Sequence, residues 1–315
     1  MNNTRKLVES ALMSALVGLF VILNRQTIGL LEGILFLLPL PMVFLSYKYD
    51  VKTALMATVG SLVLTLIFSD IPTIFTVFIE SVIGIVYGSG LRKEEKSSTL
   101  LFKTISLAIF MNFITLVLFA SFFGYDIVGE IKEIQNIFTS VLGEENISSL
   151  GINLKAFIEV IMMVSILLTG VLEGYLTHIS SRLLLSRLKF KISKPTPIFL
   201  YSPNIASGYI AIFASLLFWV SIYVNFDNQI IQYVLLFIGL VGYIYLVGYG
   251  AIGAIVMIRA YMPRLKIIGA LFVVFAIFFL NIALMLFGFI YITTDIRERT
   301  LERIINDSQN RSNKI

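Results

Sequence analysis

The sequence predicts an all-α polytopic membrane protein, and three observations carry that expectation. Of 315 residues, 58% are apolar and only 14% charged, a balance far from that of soluble domains. Mean hydropathy is +0.93. Nine apolar stretches approach or exceed the roughly 20 residues that a bilayer-crossing helix needs. They fall at 7–24, 27–47, 52–69, 71–90, 99–123, 156–180, 205–225, 229–258 and 267–292. About 8–9 transmembrane helices are therefore expected, the first six forming a core and the others a C-terminal group.

The first stretch follows Met-Asn-Asn-Thr-Arg-Lys without a small-x-small cleavage site, so it reads as a retained helix. Basic residues then orient the chain, because cytoplasmic connections collect Lys and Arg. With the N-terminus inside, sixteen of them, from Arg5 to Lys266, fall on inner segments, whereas Arg25, Lys132 and Lys155 fall outside. The expected location is the cell membrane with a cytoplasmic N-terminus.

Between the fifth and sixth spans, 124–155 carries Ile127, Ile131, Ile134, Phe138 and Val141 at helical spacing, with Glu130, Lys132 and Glu133 between them. This pattern predicts an amphipathic helix lying on the outer face, either as a spacer or as a lid. The core is expected over 1–181. A basic linker with Pro195, Pro197 and Pro203 occupies 182–204 and suits anionic headgroups. C-terminal spans follow over 205–292 and a charged tail over 293–315. Gly239, Gly242, Gly248, Gly250 and Gly253 leave open whether 229–258 is one span or a broken one. The side on which the tail emerges depends on that answer.

Several function classes are excluded or disfavoured by composition. The sequence has no Cys and a single His, His178, so disulfides, thiolate chemistry and multi-histidine metal sites are ruled out. No cofactor is expected. No stretch is long enough for a nucleotide-binding motor, so active transport would draw on an ion gradient or another subunit. Gly248-Tyr-Gly250-Ala-Ile-Gly253 matches a dinucleotide fingerprint in letters alone, since it lies inside a span rather than after a strand. Ser89 between two glycines, together with His178, lacks the spacing of an intramembrane serine protease. An enzyme is not expected.

The candidate site residues are intramembrane polar groups, which are costly in lipid and normally face protein or water. Glu80 lies midway along the fourth span, Asn112 near the middle of the fifth, Glu32 in the outer third of the second and Glu159 near the outer end of the sixth. Together they would form an externally open pocket favouring a cationic or polyhydroxylated solute. For Glu32 and Glu159 the plainer alternative is contact with interfacial water. Thr169, Glu173, Thr177 and Ser181 form a second stripe beside His178, suited to hydrogen bonds with a neighbouring helix or to a proton path. Three small-residue pairs, Ala11/Ala15, Gly84/Gly88 and Gly170/Gly174, have the spacing that lets helix backbones approach closely.

The opening Thr4-Arg-Lys-Leu-Val-Glu-Ser-Ala-Leu-Met-Ser-Ala-Leu resembles the start of the substrate-capture (S) subunits of energy-coupling-factor vitamin transporters. That resemblance implies that Ala11 and Ala15 dock a transmembrane coupling subunit carrying ATPases. Over nearly its whole length the chain resembles the YybS-like family of bacterial polytopic membrane proteins. The matching features are Pro39 and Pro41 in span 2, Gly84 and Gly88 before Arg92-Lys93, and the tail from Gly288 through Asp295, Arg297 and Arg299. The implied architecture is an S-subunit-like core with extra C-terminal spans. The leading functional expectation is thus a solute-binding subunit, for a vitamin-like or cationic small molecule, energised by a separate ATPase module. Its rival is a membrane scaffold or regulator that binds protein partners and moves nothing. The lipid bilayer is a partner under both, and no nucleic acid is expected under either.

Overall fold

A computed structural model describes residues 3–27, 32–143, 153–192, 203–224, 226 and 228–312. The described residues are helical apart from turns and short connections, and the chain divides into two compact units, 1–196 and 197–315.

Unit 1 contains α1 (Asn3–Gln26), α2 (Pro39–Lys48), α3 (Val51–Phe68), α4 (Ile71–Arg92), α5 (Ser97–Phe113), α6 (Ile127–Leu142) and α7 (Leu154–Arg187). A short 3-10 segment, Glu32–Leu37, leads into α2, and a π turn, Ile114–Leu118, extends α5. The helix starts are written in the sequence. Asp50, Asp70, Asp126 and Asn153 each accept a hydrogen bond from the backbone N–H three residues on, satisfying donors that an isolated helix start leaves open. Pro72 sits in the first turn of α4, where its missing N–H costs nothing.

Small residues decide which faces of unit 1 meet. A Cβ on Gly88 would collide with the Val43 carbonyl and the Ser46 hydroxyl, and one on Gly84 with the Pro39 carbonyl, so α4 lies against α2 through glycine. Helices α5 and α7 do the same: Cβ atoms on Gly170 and Gly174 would stand 2.6 Å from the Cα atoms of Ile109 and Ile105. Helix α1 meets α3 through Ser10, Ser14 and Gly18, with the Ser14 hydroxyl donating to the Ala57 carbonyl across 2.7 Å. Ala11 and Ala15 are one residue out of phase with that seam. They point outward among exposed Leu7, Val8, Leu12 and Leu19.

Successive membrane helices alternate in direction, and ion pairs mark the end that holds the N-terminus. Lys6 pairs with Asp50 at 2.9 Å, Lys48 with Glu9 at 2.5 Å and Lys103 with Glu95 at 3.2 Å. At the opposite end Arg25 donates to the Phe68 carbonyl. The expected amphipathic helix forms as α6, which packs on α7 with Ile131 buried and Ile137 and Val141 exposed. Residues 144–152 of that connection lie outside the described residues. Helix α7 continues to Arg187, six residues past the expected core boundary at 181, because Thr177, His178, Ser181 and Arg182 are buried rather than released into a linker. Of the expected linker, 193–202 lies outside the described residues.

Unit 2 contains α8 (Ile205–Tyr223), α9 (Gln229–Tyr261), α10 (Lys266–Phe279), α11 (Asn281–Thr293) and α12 (Ile296–Ser312). The glycine-rich segment is one unbroken helix. Its glycines are seats for neighbours, with Gly239 under Phe218, Gly242 under Ala211 and Ala214, Gly250 under Leu284 and Gly253 under Tyr291. The break falls instead in the last expected span, where α10 and α11 meet at 112°. Helix α11 runs in the same direction as α9: Tyr243 pairs with Asn281, Gly250 faces Leu284 and Gly253 faces Tyr291. Arg303 then lies over the Tyr261 ring, 4.4 Å from its centroid. The tail helix α12 therefore returns to the Arg259 end of unit 2, as a re-entrant α10–α11 pair requires.

Seven described helices are long and apolar enough to cross a bilayer, or up to eight if the bent pair counts as one. The second expected span, 27–47, is represented by a shorter apolar helix over Leu35–Lys48.

Candidate functional site

The buried polar residues of unit 1 concentrate where α4, α5 and α7 meet. Asn112 and Glu173 come from helices that cross at the Gly170/Gly174 seam, and that close approach carries the Asn112 amide to the Glu173 carboxylate. Its Nδ2 donates to Glu173 Oε2 across 2.6 Å and to the Ala108 carbonyl of its own helix across 3.0 Å. Glu80, on α4, is buried and within electrostatic reach of Glu173. Glu80 Oε2 and Glu173 Oε1 have no hydrogen-bond partner among the described residues.

From this point a polar stripe descends along α7 toward its C-terminal end. Thr177 and Ser181 are fully buried, and their hydroxyls have no partner among the described residues. His178 sits between them with both ring nitrogens occupied: Nδ1 lies 3.1 Å from the Tyr87 hydroxyl and Nε2 lies 3.5 Å from the Ser97 hydroxyl. Tyr87 also approaches edge-on, at 5.6 Å between ring centroids. Arg182 ends the buried stripe. Glu173 to Ser181 spans about 12 Å along the helix axis at 1.5 Å per residue. The column sets carboxylates and an amide above two hydroxyls and an imidazole, all between apolar helices.

Of the four residues expected to converge, Asn112 bonds Glu173, and Glu80 lies within electrostatic reach of that same carboxylate. Glu80 and Asn112 belong to one cluster, and Glu173 joins them. Glu159 does not: it lies fourteen residues up α7, about 21 Å along the axis, where its carboxylate is 3.7 Å from Lys155. Glu32 begins the 3-10 segment before α2, and its side chain lies outside the described residues. Glu173 stood in the sequence between two glycines on an apolar helix, the place where a neighbouring backbone passes closest. That placement is a sequence signal for a close neighbour, though not for which residue it is. Ser89, meanwhile, bonds the Val86 carbonyl of its own helix at 3.0 Å, and His178 is engaged by Tyr87 and Ser97. Among the described residues no group of three or more His, Asp or Glu side chains could hold a metal ion.

No curated protein and no solved structure matches the chain. A family model does: the one described as a predicted membrane protein family, DUF2232, aligns with residues 15–290. That stretch includes α2 to α10, most of α11 and every residue of the α4–α5–α7 column, and on it the chain belongs to the DUF2232 family of membrane proteins.

Proposed function

We propose that unit 1 captures a small cationic or polyhydroxylated solute between α4, α5 and α7, and that a separate ATP-driven membrane module supplies the energy for its release. Glu80 and Glu173 supply negative charge, and Asn112 orients Glu173 and offers its amide oxygen to the solute. Helix α6, packed on α7, acts as the lid. The Ala11/Ala15 face of α1 docks the energising partner, in keeping with the resemblance of the first span to transporter capture subunits.

One observation carries this reading: Asn112 and the buried Glu173 pair across two apolar helices, and a second buried carboxylate, Glu80 on a third helix, lies within electrostatic reach. Each ionisable group near a helix centre costs about 2.5–3.5 kcal/mol on insertion scales, and packing alone has no need of two on facing helices. The exposure of Ala11 and Ala15 adds to it, because a seam used internally would have buried them.

The test is gentle-detergent purification from native membranes, with co-eluting small molecules and proteins identified by mass spectrometry. The expected result is a retained metabolite in the native protein that is absent from Glu80→Gln, Glu173→Gln and Asn112→Ala. A coupling subunit and its ATPases are expected to be lost from Ala11→Leu/Ala15→Leu. An empty native protein recovered only with regulatory or envelope proteins would replace capture with a scaffold role.

A further inference from the structure

The ends of α2, α4 and α7 that carry Lys48, Arg92 and Arg187 gather at the N-terminal end of unit 1, beside a cavity of about 580 Å³. Its lining includes Lys48, Arg92, Lys191, Glu94, Tyr47 and Phe190. Basic residues in a helix's last turn complement its dipole, which accounts for Lys48 and Arg92 one at a time. It does not account for Lys191, which lies beyond α7, nor for a cavity that collects all three.

The chain is bent to build this cavity. Lys189 and Glu94, both non-glycine, adopt positive φ angles of 62° and 57° just after α7 and α4, a region L-residues seldom occupy. The turn at Lys189 folds Phe190 back onto α2, where its ring meets Tyr47 edge-on at 5.3 Å and Phe44 at 6.2 Å. The Tyr47 hydroxyl donates to the Lys191 carbonyl across 3.0 Å and holds that segment in place. The Lys48 ammonium is paired with Glu9. Arg92 and Lys191 are exposed and have no ion-pair partner among the described residues.

We infer that this cavity is a binding site for a phosphate ester whose remainder is apolar or carries a ring. Arg92 and Lys191 grip the phosphate oxygens, because a guanidinium fork and a mobile ammonium suit a multidentate anion. Tyr47 and Phe190 hold the apolar or ring-bearing part. Glu94 is the one carboxylate among the lining residues and limits the affinity. Two sources offer this chemistry: the headgroup of an anionic phospholipid and a soluble phosphate ester. The inference is independent of the solute reading, since none of these residues lies in the α4–α5–α7 column.

The experiment uses the full chain in two settings. Native mass spectrometry from micelles doped equally with phosphatidylglycerol and phosphatidylcholine reads the lipid source. Thermal stabilisation by phenyl phosphate, in phosphatidylcholine nanodiscs, reads the soluble source. The native chain is expected to bind one of the two probes about tenfold or more tightly than Arg92→Gln/Lys191→Gln does, the equivalent of one lost charged hydrogen bond. Arg92→Lys/Lys191→Arg should keep most of the binding, which separates charge from damage to the fold. Glu94→Gln should bind more tightly than the native chain. If the native chain and Arg92→Gln/Lys191→Gln respond alike to both probes, the site is overturned.

Discussion

Asn112 donates to Glu173 across 2.6 Å, joining the half-buried amide of α5 to the buried carboxylate of α7. The bond links residues 61 positions apart and exists because two glycines let the helices close. Removing one partner leaves the other buried and alone. Asn112→Leu is therefore expected to destabilise the chain by about 1–3 kcal/mol, the cost of an unpaired buried polar group. Asn112→Leu/Glu173→Leu should recover most of that loss while still failing to bind solute. Equilibrium unfolding in mixed micelles, run as a double-mutant cycle, measures the coupling; additive losses would show that the bond contributes nothing.

The glycines separate by what surrounds them. Gly174→Ala sets a methyl 2.6 Å from the Ile105 Cα, which is backbone and cannot swing aside. The helices must part, at a cost of about 1–3 kcal/mol. Gly248 on α9 has nothing within 4 Å of the same position, so Gly248→Ala should be neutral or stabilising by up to about 1 kcal/mol, the gain in helix propensity. Thermal denaturation in detergent should rank Gly174→Ala below the native chain and Gly248→Ala level with or above it.

Asp50 caps α3 outside the span and is held by Lys6 and by the Thr53 amide and hydroxyl, which lower its carboxyl from the usual 3.8 to about 2. The ionised form is the one the fold prefers. Its stabilisation is thus complete above the unfolded value and is lost as pH falls from about 4 toward 2. Asp50→Ala should cost about 1 kcal/mol at neutral pH as a lost cap, and the deficit should shrink through that acid window. A deficit independent of pH would mean the carboxylate is not the stabilising group.

The parallel course of α9 and α11 decides the side of the tail. Because the chain lacks cysteine, Arg264→Cys and Glu302→Cys are clean reporters for a membrane-impermeant maleimide. Both are expected to label from the same face. With the N-terminus inside, as the distribution of basic residues predicts, that face is cytoplasmic. Labelling from opposite faces would make the α10–α11 pair a single crossing.

What the sequence determined by itself is whatever depends on one helix at a time. Composition and hydropathy place the chain in a bilayer and locate most of the helices, since burying apolar length in lipid needs no knowledge of neighbours. The tertiary structure decided which faces meet. On α1 two small-residue stripes stand one residue apart, and only packing against α3 selects Ser10 and Ser14, leaving Ala11 and Ala15 outside. On α9 five glycines read equally as a break or as seats; the arrival of α8 and α11 makes seats of Gly239, Gly242, Gly250 and Gly253 and moves the bend to Leu280–Asn281. Glu173 could be seen from the sequence as a buried acid, but its meeting with Asn112 and Glu80 depends on how three helices pack. Periodicity shows that a helix has a polar face, and only the helices around it show what that face touches.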